Sequence, residues 1–344
     1  LCWLPLRASL SALTLFMSSH LCAESLPSPL TLAQALELAR FSESPSIEQA
    51  LAQKSRADAE RAIIQSRDGT HMELFSRYYA LEPDASVADL GRDDYVAGIS
   101  IRKPLVDFGR TRSQLQAKEA ETKRFEYELI AATGRRKLDI IEKYFAVILA
   151  DLYYIWKNEA MSIEFVHLEL AQDHKRVGKA SDLEVMEKEK NFQVMRVQRF
   201  RAESEQRSTR ARLAMAMQWP DQLADTLIPP QLLEHVAIGE TEALQQQAQN
   251  DNPKILALRA KLLSAQRELQ AVRRQANPSI DAEVEAWSYG REFSSRDKWH
   301  AGISLRLPLL QGGEVKAGVA KARAEVDFWQ AELAQAILEV RQSV

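Results

Sequence analysis

The sequence predicts a mainly α fold with a minority of β structure: long antiparallel helical hairpins joined to four transmembrane-type β-strands, laid out as a two-fold internal repeat. Three observations predict it. First, GISIRKPLVDFGR (98–110) returns as GISLRLPLLQGGE (302–314), each copy a short alternating strand, a Pro-Leu break, a Gly and then a charged helical run. Second, from Gly109 to about Val177 the helical pattern contains no proline and is interrupted only by Gly134. At 1.5 Å per residue such a helix is roughly 100 Å long, more than an ordinary globular domain needs. Third, four segments of about ten residues alternate apolar and polar side chains, the period of a strand with two different faces.

The elements follow in chain order. Residues 3–23 carry one charge, Arg7, an apolar core and a small residue at Ala23, and 1–23 reads as a secretory signal peptide. A buried helix is the other reading of this segment. The apolar core is too short for a lasting membrane-spanning helix. The first structural repeat then covers 24–239. Thr31-Leu-Ala-Gln34 is a capping box opening a helix, and the helical pattern reaches about Arg67 with a break at Pro45. Strands follow at 72–81 and 94–102 with a polar loop (82–94) between them, then the long helix 110–177. A turn at Val177-Gly178-Lys179-Ala180 leads to a second capping box, Ser181-Asp-Leu-Glu184, and a return helix 182–217. Trp219-Pro220 ends it, and 218–239 is a mixed segment.

The second repeat covers 240–344: a helix, strands 280–289 and 298–307, and a helix from 313. Its opening Asn252-Pro253 echoes Ser44-Pro45. The offset between copies is 208 at the prolines and 204 at the Gly-Ile-Ser match, so only loops differ in length. The second copy stops before a return helix, which predicts a longer parent chain by roughly a hundred residues if the repeat is complete.

In the strands, Tyr95, Ala97, Ile99 and Ile101 share one face with, in the second copy, Trp299, Ala301, Ile303 and Leu305. Ser100, Arg102, Glu283, Glu285, Ser304 and Arg306 fall on the opposite face. An apolar face opposite a charged one suits a membrane barrel with lipid outside and water inside. A soluble sheet with one wet face is equally compatible with alternation alone. Tyr78, Tyr79, Tyr95, Trp287, Tyr289 and Trp299 are candidates for interfacial girdles. Four strands cannot close a barrel, and an open edge is not tolerated in lipid, so spanning strands require several chains to share one barrel.

In the long helix, Ile141, Phe145, Ile148, Leu152 and Ile155 are spaced 4, 3, 4, 3, a heptad seam. Ile140, Tyr144 and Val147 begin a second seam beside it. Two seams fit a helix with neighbours on two sides, as in a ring of helices; an antiparallel coiled coil with a wide stripe fits too.

Composition excludes several classes. The formal net charge is −3, against a dedicated nucleic-acid binder. Gly and Pro number 12 each in 344 residues, few for an all-β chain. Both cysteines, Cys2 and Cys22, lie in the signal segment, so a processed chain has no disulfide, thiolate metal site or cysteine nucleophile. Ser19-His20-Leu21 is a poor context for lipidation of Cys22. No dinucleotide, P-loop, nucleophile-elbow or zinc-helix motif is present. Histidines stand at 20, 71, 167, 174, 235 and 300. His167 and His174 are seven apart and can share a helix face, but they read as surface histidines rather than as a metal pair. The arginine-dense run 196–212 is interleaved with Glu203 and Glu205 and reads as a solvated helix face. No cofactor, metal or catalytic constellation is predicted.

The duplicated strand-Pro-Leu-x-x-Gly-helix junction, LTLAQALELA (30–39), the proline openings at 44–47 and 252–255, and RVGKASDLEV (176–185) together resemble the TolC family of outer-membrane efflux proteins. The resemblance covers residues 30–344. It implies a homotrimer in which each chain gives four strands to a 12-stranded barrel in the outer membrane, with the helices forming an α-barrel across the periplasm. It implies that Pro104, Gly109, Pro308 and Gly313 mark the strand-to-helix junctions. It assigns Tyr95, Ala97, Ile99, Ile101, Trp299, Ala301, Ile303 and Leu305 to lipid, and Ser100, Arg102, Glu283, Glu285, Ser304 and Arg306 to the lumen. Val177, Gly178, Lys179, Ala180, Ser181 and Asp182 would be a hairpin tip contacting a periplasmic adaptor. The implied partners are further copies of the chain, that adaptor, an inner-membrane pump of the resistance-nodulation-division or ABC type, and outer-membrane lipid. The implied function is an exit duct for drug efflux or type I secretion, without chemistry. The alternatives are a periplasmic coiled-coil scaffold without a pore and, more remotely, a metal-binding enzyme.

Overall fold

The computed structural model describes residues 27–80, 93–219, 225–231, 239–290 and 297–344. The predicted signal segment, most of the 82–94 loop and Pro220 lie outside the described residues. The elements are α1 (Leu32–Leu38), α2 (Pro45–Ser66), β1 (His71–Ala80), β2 (Asp93–Val106), α3 (Arg110–Arg176), α4 (Asp182–Ala216), α5 (Thr241–Asp251), α6 (Pro253–Arg273), β3 (Ser279–Tyr289), β4 (Trp299–Arg306) and α7 (Glu314–Ser343).

Local chemistry sets the helix starts. At α1 the capping box is reciprocal: the Gln34 amide donates to Thr31 Oγ1 at 3.2 Å, and the Thr31 amide donates to Gln34 Oε1 at 3.0 Å. α2 and α6 open in one way. Ser44 and Asn252 are extended, and Pro45 and Pro253 take the first helical position, where a missing N–H costs nothing. Asn252 Oδ1 also accepts from the Lys254 amide at 2.8 Å.

The chain forms two compact units. The first takes residues 143–215 of α3 and α4 together with the described residues 27–37, 219 and 225–230. Its core contains Leu30, Tyr144, Val147, Leu168, Ala171, Ala202 and Leu213. Leu30 bridges Leu227 in parallel, and the Tyr144 hydroxyl lies 2.8 Å from the Leu30 carbonyl oxygen and 2.7 Å from that of Ile228.

The second unit holds the sheet, α2, α5, α6, α7 and the start of α3. Its helices pack through small residues: Ala57, Ala117, Ala120, Ala257, Ala260, Ala265 and Ala271 are buried around Ile47 and Ile255. Glu121 of α3 ties them together. It accepts from Lys261 Nζ at 3.1 Å and Ser264 Oγ at 3.1 Å on α6, and from Arg124 Nη1 at 2.9 Å.

The sheet is antiparallel in the order β1-β2-β3-β4. β2 corrects one expectation. It does not break at Pro104 but continues to Val106, with Pro104 opposite Asp281 and a bulge between Pro104 and Val106. β1 ends its pairing at Arg102, so beyond that point β2 has a partner on the β3 side alone. A proline without N–H is tolerated along such an unpaired margin and at a bulge. The first junction therefore falls at Asp107-Phe108-Gly109.

The long helix packs one of its two seams within the chain: Ile140, Tyr144 and Val147 are fully buried, whereas on the other Leu152 is 59% and Ile155 62% exposed. The buried stripe continues in polar residues at helical spacing, through Asp151, Tyr154 and Lys157. Each has a partner on α4: Arg210, Arg199 and Gln198. A pattern read from apolar residues alone misses a stripe that turns polar halfway.

Candidate pore face, junctions and hairpin turn

The four-strand register places every strand in phase. One row runs Leu74, Ile99, Ala286, Trp299; the next runs Met72, Ile101, Val284, Ala301. Tyr95, Ala97, Ile99, Ile101, Trp299, Ala301, Ile303 and Leu305 thus share one face. Ser100, Arg102, Glu283, Glu285, Ser304 and Arg306 share the other.

The polar face is a hydrogen-bonded ladder. Ser100 Oγ donates to Glu285 Oε1 at 3.0 Å, Ser304 Oγ donates to Glu283 Oε1 at 2.6 Å, and Arg102 Nε lies 3.6 Å from Glu283. The Trp287 and His300 rings meet on this face, their centroids 4.8 Å apart and their planes tilted by 41°. The six aromatic residues do not form one girdle set. Tyr78, Tyr95 and Trp299 are on the apolar face, but Tyr79, Trp287 and Tyr289 are in register with Asp94, Gly98 and Val96 on the polar one. Their positions have the opposite parity, and period-2 geometry allows no other outcome.

The repeated Gly-Ile-Ser motif hides a difference. A Cβ at Gly98 would lie 2.6 Å from the Ala286 carbonyl oxygen and 2.9 Å from both the Phe75 and Trp287 rings, its register partners. Gly302 meets nothing within 4 Å. Glycine is required for close approach in the first copy only.

The junctions also differ. At the first, Phe108 and Gly109 both take positive φ (52° and 83°). Asp107 caps α3, accepting from the Gly109 amide at 3.0 Å and the Thr111 amide at 2.5 Å. Arg274 Nη1 reaches in from the end of α6 and donates to the Gly109 carbonyl at 2.8 Å and Ser113 Oγ at 2.7 Å. Sequence reasoning named Gly109 but missed Asp107 and Arg274; the Asp-x-Gly spacing was the available signal for the first. At the second junction Gly312 and Gly313 take φ of 54° and 89° and Gln311 stands where Asp107 does. Pro308 lies past the end of β4, in the segment before α7.

The α3–α4 turn closes on Gly178 at φ 75°, with the Gly178 amide donating to Lys175 O at 2.9 Å and the Lys179 amide to His174 O at 2.8 Å. Ser181 Oγ accepts from the Glu184 amide at 3.2 Å, and Lys175 pairs with Asp182 across the turn. Val177, Leu183 and Met186 are exposed around it. Among the described residues no helix is long and apolar enough to cross a membrane, and no group of three or more His, Cys, Asp or Glu can hold a metal ion.

The fold is that of the outer-membrane channels. It is similar to a membrane protein from Pseudomonas aeruginosa (TM-score 0.76, 18% identity, covering 90% of this chain and 74% of that one). It is similar to the CmeC outer membrane channel of Campylobacter jejuni (TM-score 0.74, 17% identity, 90% and 68%). The open state of the Neisseria gonorrhoeae MtrE outer membrane channel also matches (TM-score 0.64, 18% identity, 91% and 70%). No curated protein sequence matches. Residues 244–344 match the family described as outer membrane efflux protein.

Proposed function

We propose that the protein is the outer-membrane exit duct of a tripartite efflux pump or type I secretion system. It passes substrates from an inner-membrane transporter and periplasmic adaptor to the exterior. One observation carries the reading: the in-phase sheet with an apolar face, an ionic ladder on the other face and both edges, β1 and β4, open. A sheet of this kind is stable in lipid only when closed, and four strands close only with copies of themselves. Three copies give 12 strands. The first structural repeat (24–239) and the second (240–344) each supply two of the four strands.

The helices support the same assembly. On α3, Leu149, Leu152, Trp156, Ile163, Val166 and Leu170 recur at spacings of three, four and seven and are all exposed. This heptad stripe is the surface a neighbouring copy covers in a ring of helices. The turn Val177–Asp182, with Leu183 and Met186 beside it, is the adaptor contact. The pump is of the resistance-nodulation-division or ABC type, and no catalytic step is assigned to the chain.

The test is ion conductance of the purified protein in a planar bilayer, with heat-resistant trimers followed on gels. Discrete channels from the trimer are expected. Soluble behaviour without conductance would overturn the duct and leave a scaffold.

A further inference from the structure

The two most exposed large apolar side chains of the described residues are adjacent: Leu309 at 86% and Leu310 at 94%. They lie between β4 and α7, past Leu305 and Leu307, which are also exposed. The first junction repeats the arrangement, with Leu105, Val106 and Phe108 exposed between β2 and α3. Val106 stands opposite Ile280, on the apolar side of the sheet. At the same level the polar side carries Asp107, Arg110, Asp281 and Arg306 around a 460 Å³ cavity. The junction level is thus amphipathic in its own right.

Cations complete the pattern. Three residues after each junction glycine comes an exposed basic side chain: Arg112 after Gly109, and Lys316 after Gly313. Lys103, also exposed, is on the apolar face by register, opposite Ala282. Apolar residues followed about four to six residues on by Lys or Arg are what a phospholipid interface takes: acyl chains below, phosphates above.

A neighbouring strand pairs through backbone groups along an edge and leaves the side chains of a face uncovered. β4 offers such an edge, and β2 offers one only beyond Arg102, where β1 ends its pairing. Both junctions nevertheless show the same exposed apolar run and the same cation. A continuous surface reaches both.

We propose that the two junctions form a collar docked on anionic phospholipid, with Leu309 and Leu310 immersed and Arg112 and Lys316 on lipid phosphates. The proposal rests on the duct reading, which orients the apolar face to lipid. The collar makes the strand-to-helix transition a second membrane contact, separate from the strands, and sets how deep the duct sits.

The test uses the full chain in nanodiscs containing phosphatidylglycerol, with single spin labels at Ile303, Leu310 and Leu338. Accessibility to oxygen, which partitions into lipid, is compared with accessibility to a water-soluble nickel chelate. Labels at 303 and 310 are expected to favour oxygen several-fold over the label at 338. A lipid-exposed 303 with a water-exposed 310 overturns the collar and leaves the duct. Protection of 310 from both reagents also overturns it, showing a protein cover. Loss of the lipid signal at 303 itself overturns the duct reading and the collar with it. A second arm measures retention on phosphatidylglycerol against phosphatidylcholine vesicles. R112Q and K316Q should each lower the preference for the anionic lipid by about fivefold; no change would overturn the phosphate contact.

Discussion

Asp151 and Arg210 join α3 to α4 by a two-point ion pair, with Nη1 2.6 Å from Oδ1 and Nη2 2.8 Å from Oδ2. The same carboxylate accepts from Gln206 Nε2 at 2.9 Å, and Arg210 also donates to the Asp225 carbonyl at 3.1 Å. The pair is mostly buried and sits where the hydrophobic stripe of the hairpin has run out.

Asp151→Ala should therefore cost about 2 kcal/mol, because it strips a charged acceptor from two donors held in place. Asp151→Asn keeps the shape and one acceptor and should cost about half as much. Urea unfolding followed by circular dichroism measures both. Equal stability of Asp151→Ala and the parent would mean that packing alone holds the hairpin.

That cluster also marks where the sequence stops being legible. The 67-residue α3 was readable because nothing in it breaks a helix, and the strands because their faces alternate. The sheet's two faces followed from parity once the strands were placed. The inner stripe of α3 was not readable beyond Val147, since Asp151, Tyr154 and Lys157 look like surface residues until their α4 partners are known. The last four residues of β2 were hidden by Pro104, which reads as a stop unless one knows that β1 ends its pairing at Arg102. The Arg274 contact with Gly109 spans 165 residues and leaves no local trace.

Tyr144→Phe should cost about 1 kcal/mol by removing the hydroxyl shared by the Leu30 and Ile228 carbonyls. It should also change the alkaline limb. Burial raises the Tyr144 pKa above 10.0. A raised pKa contributes stability that is complete below the unfolded value and is lost as pH rises toward the folded one. The gap between the parent and Tyr144→Phe should thus narrow above pH 10.0 in denaturant titrations. A gap constant with pH would show that the hydroxyl titrates as in water.

On the acid side, Glu60 is held below its usual value of 4.5 chiefly by the hydrogen bond from Lys118 Nζ at 2.6 Å, which outweighs partial burial, with Arg56 adding to it. A lowered pKa contributes stability present above 4.5 and lost as pH falls through the folded value. Lys118→Met should lower the thermal midpoint near neutrality and flatten its fall from about pH 6 to about pH 3. Parallel curves for parent and variant would remove this pair from the acid response.

Gly98→Ala and Gly302→Ala separate the two copies of the repeated motif. The first puts a methyl against the Ala286 carbonyl and between two rings, and should cost about 1–3 kcal/mol by overpacking. The second enters open space and should be neutral. Melting temperatures of the assembled protein on heat-modifiability gels give the readout. Equal effects would mean that the aromatic pair yields by rotation.

Leu183→Asp tests the hairpin turn as a contact. Leu183 is exposed, so its replacement should leave stability within about 0.5 kcal/mol. Conductance in a planar bilayer should also be unchanged, because the turn is remote in sequence from every strand. Pump-coupled export in cells should nevertheless fall at least tenfold, since a charge placed in an apolar protein contact costs more than about 1.4 kcal/mol. Gly178→Ala acts differently: a methyl at φ 75° strains the turn itself and should lower stability by about 1 kcal/mol along with export. Full export by Leu183→Asp would move the adaptor contact elsewhere on the chain. Loss of conductance together with export would show a defect of assembly rather than of docking.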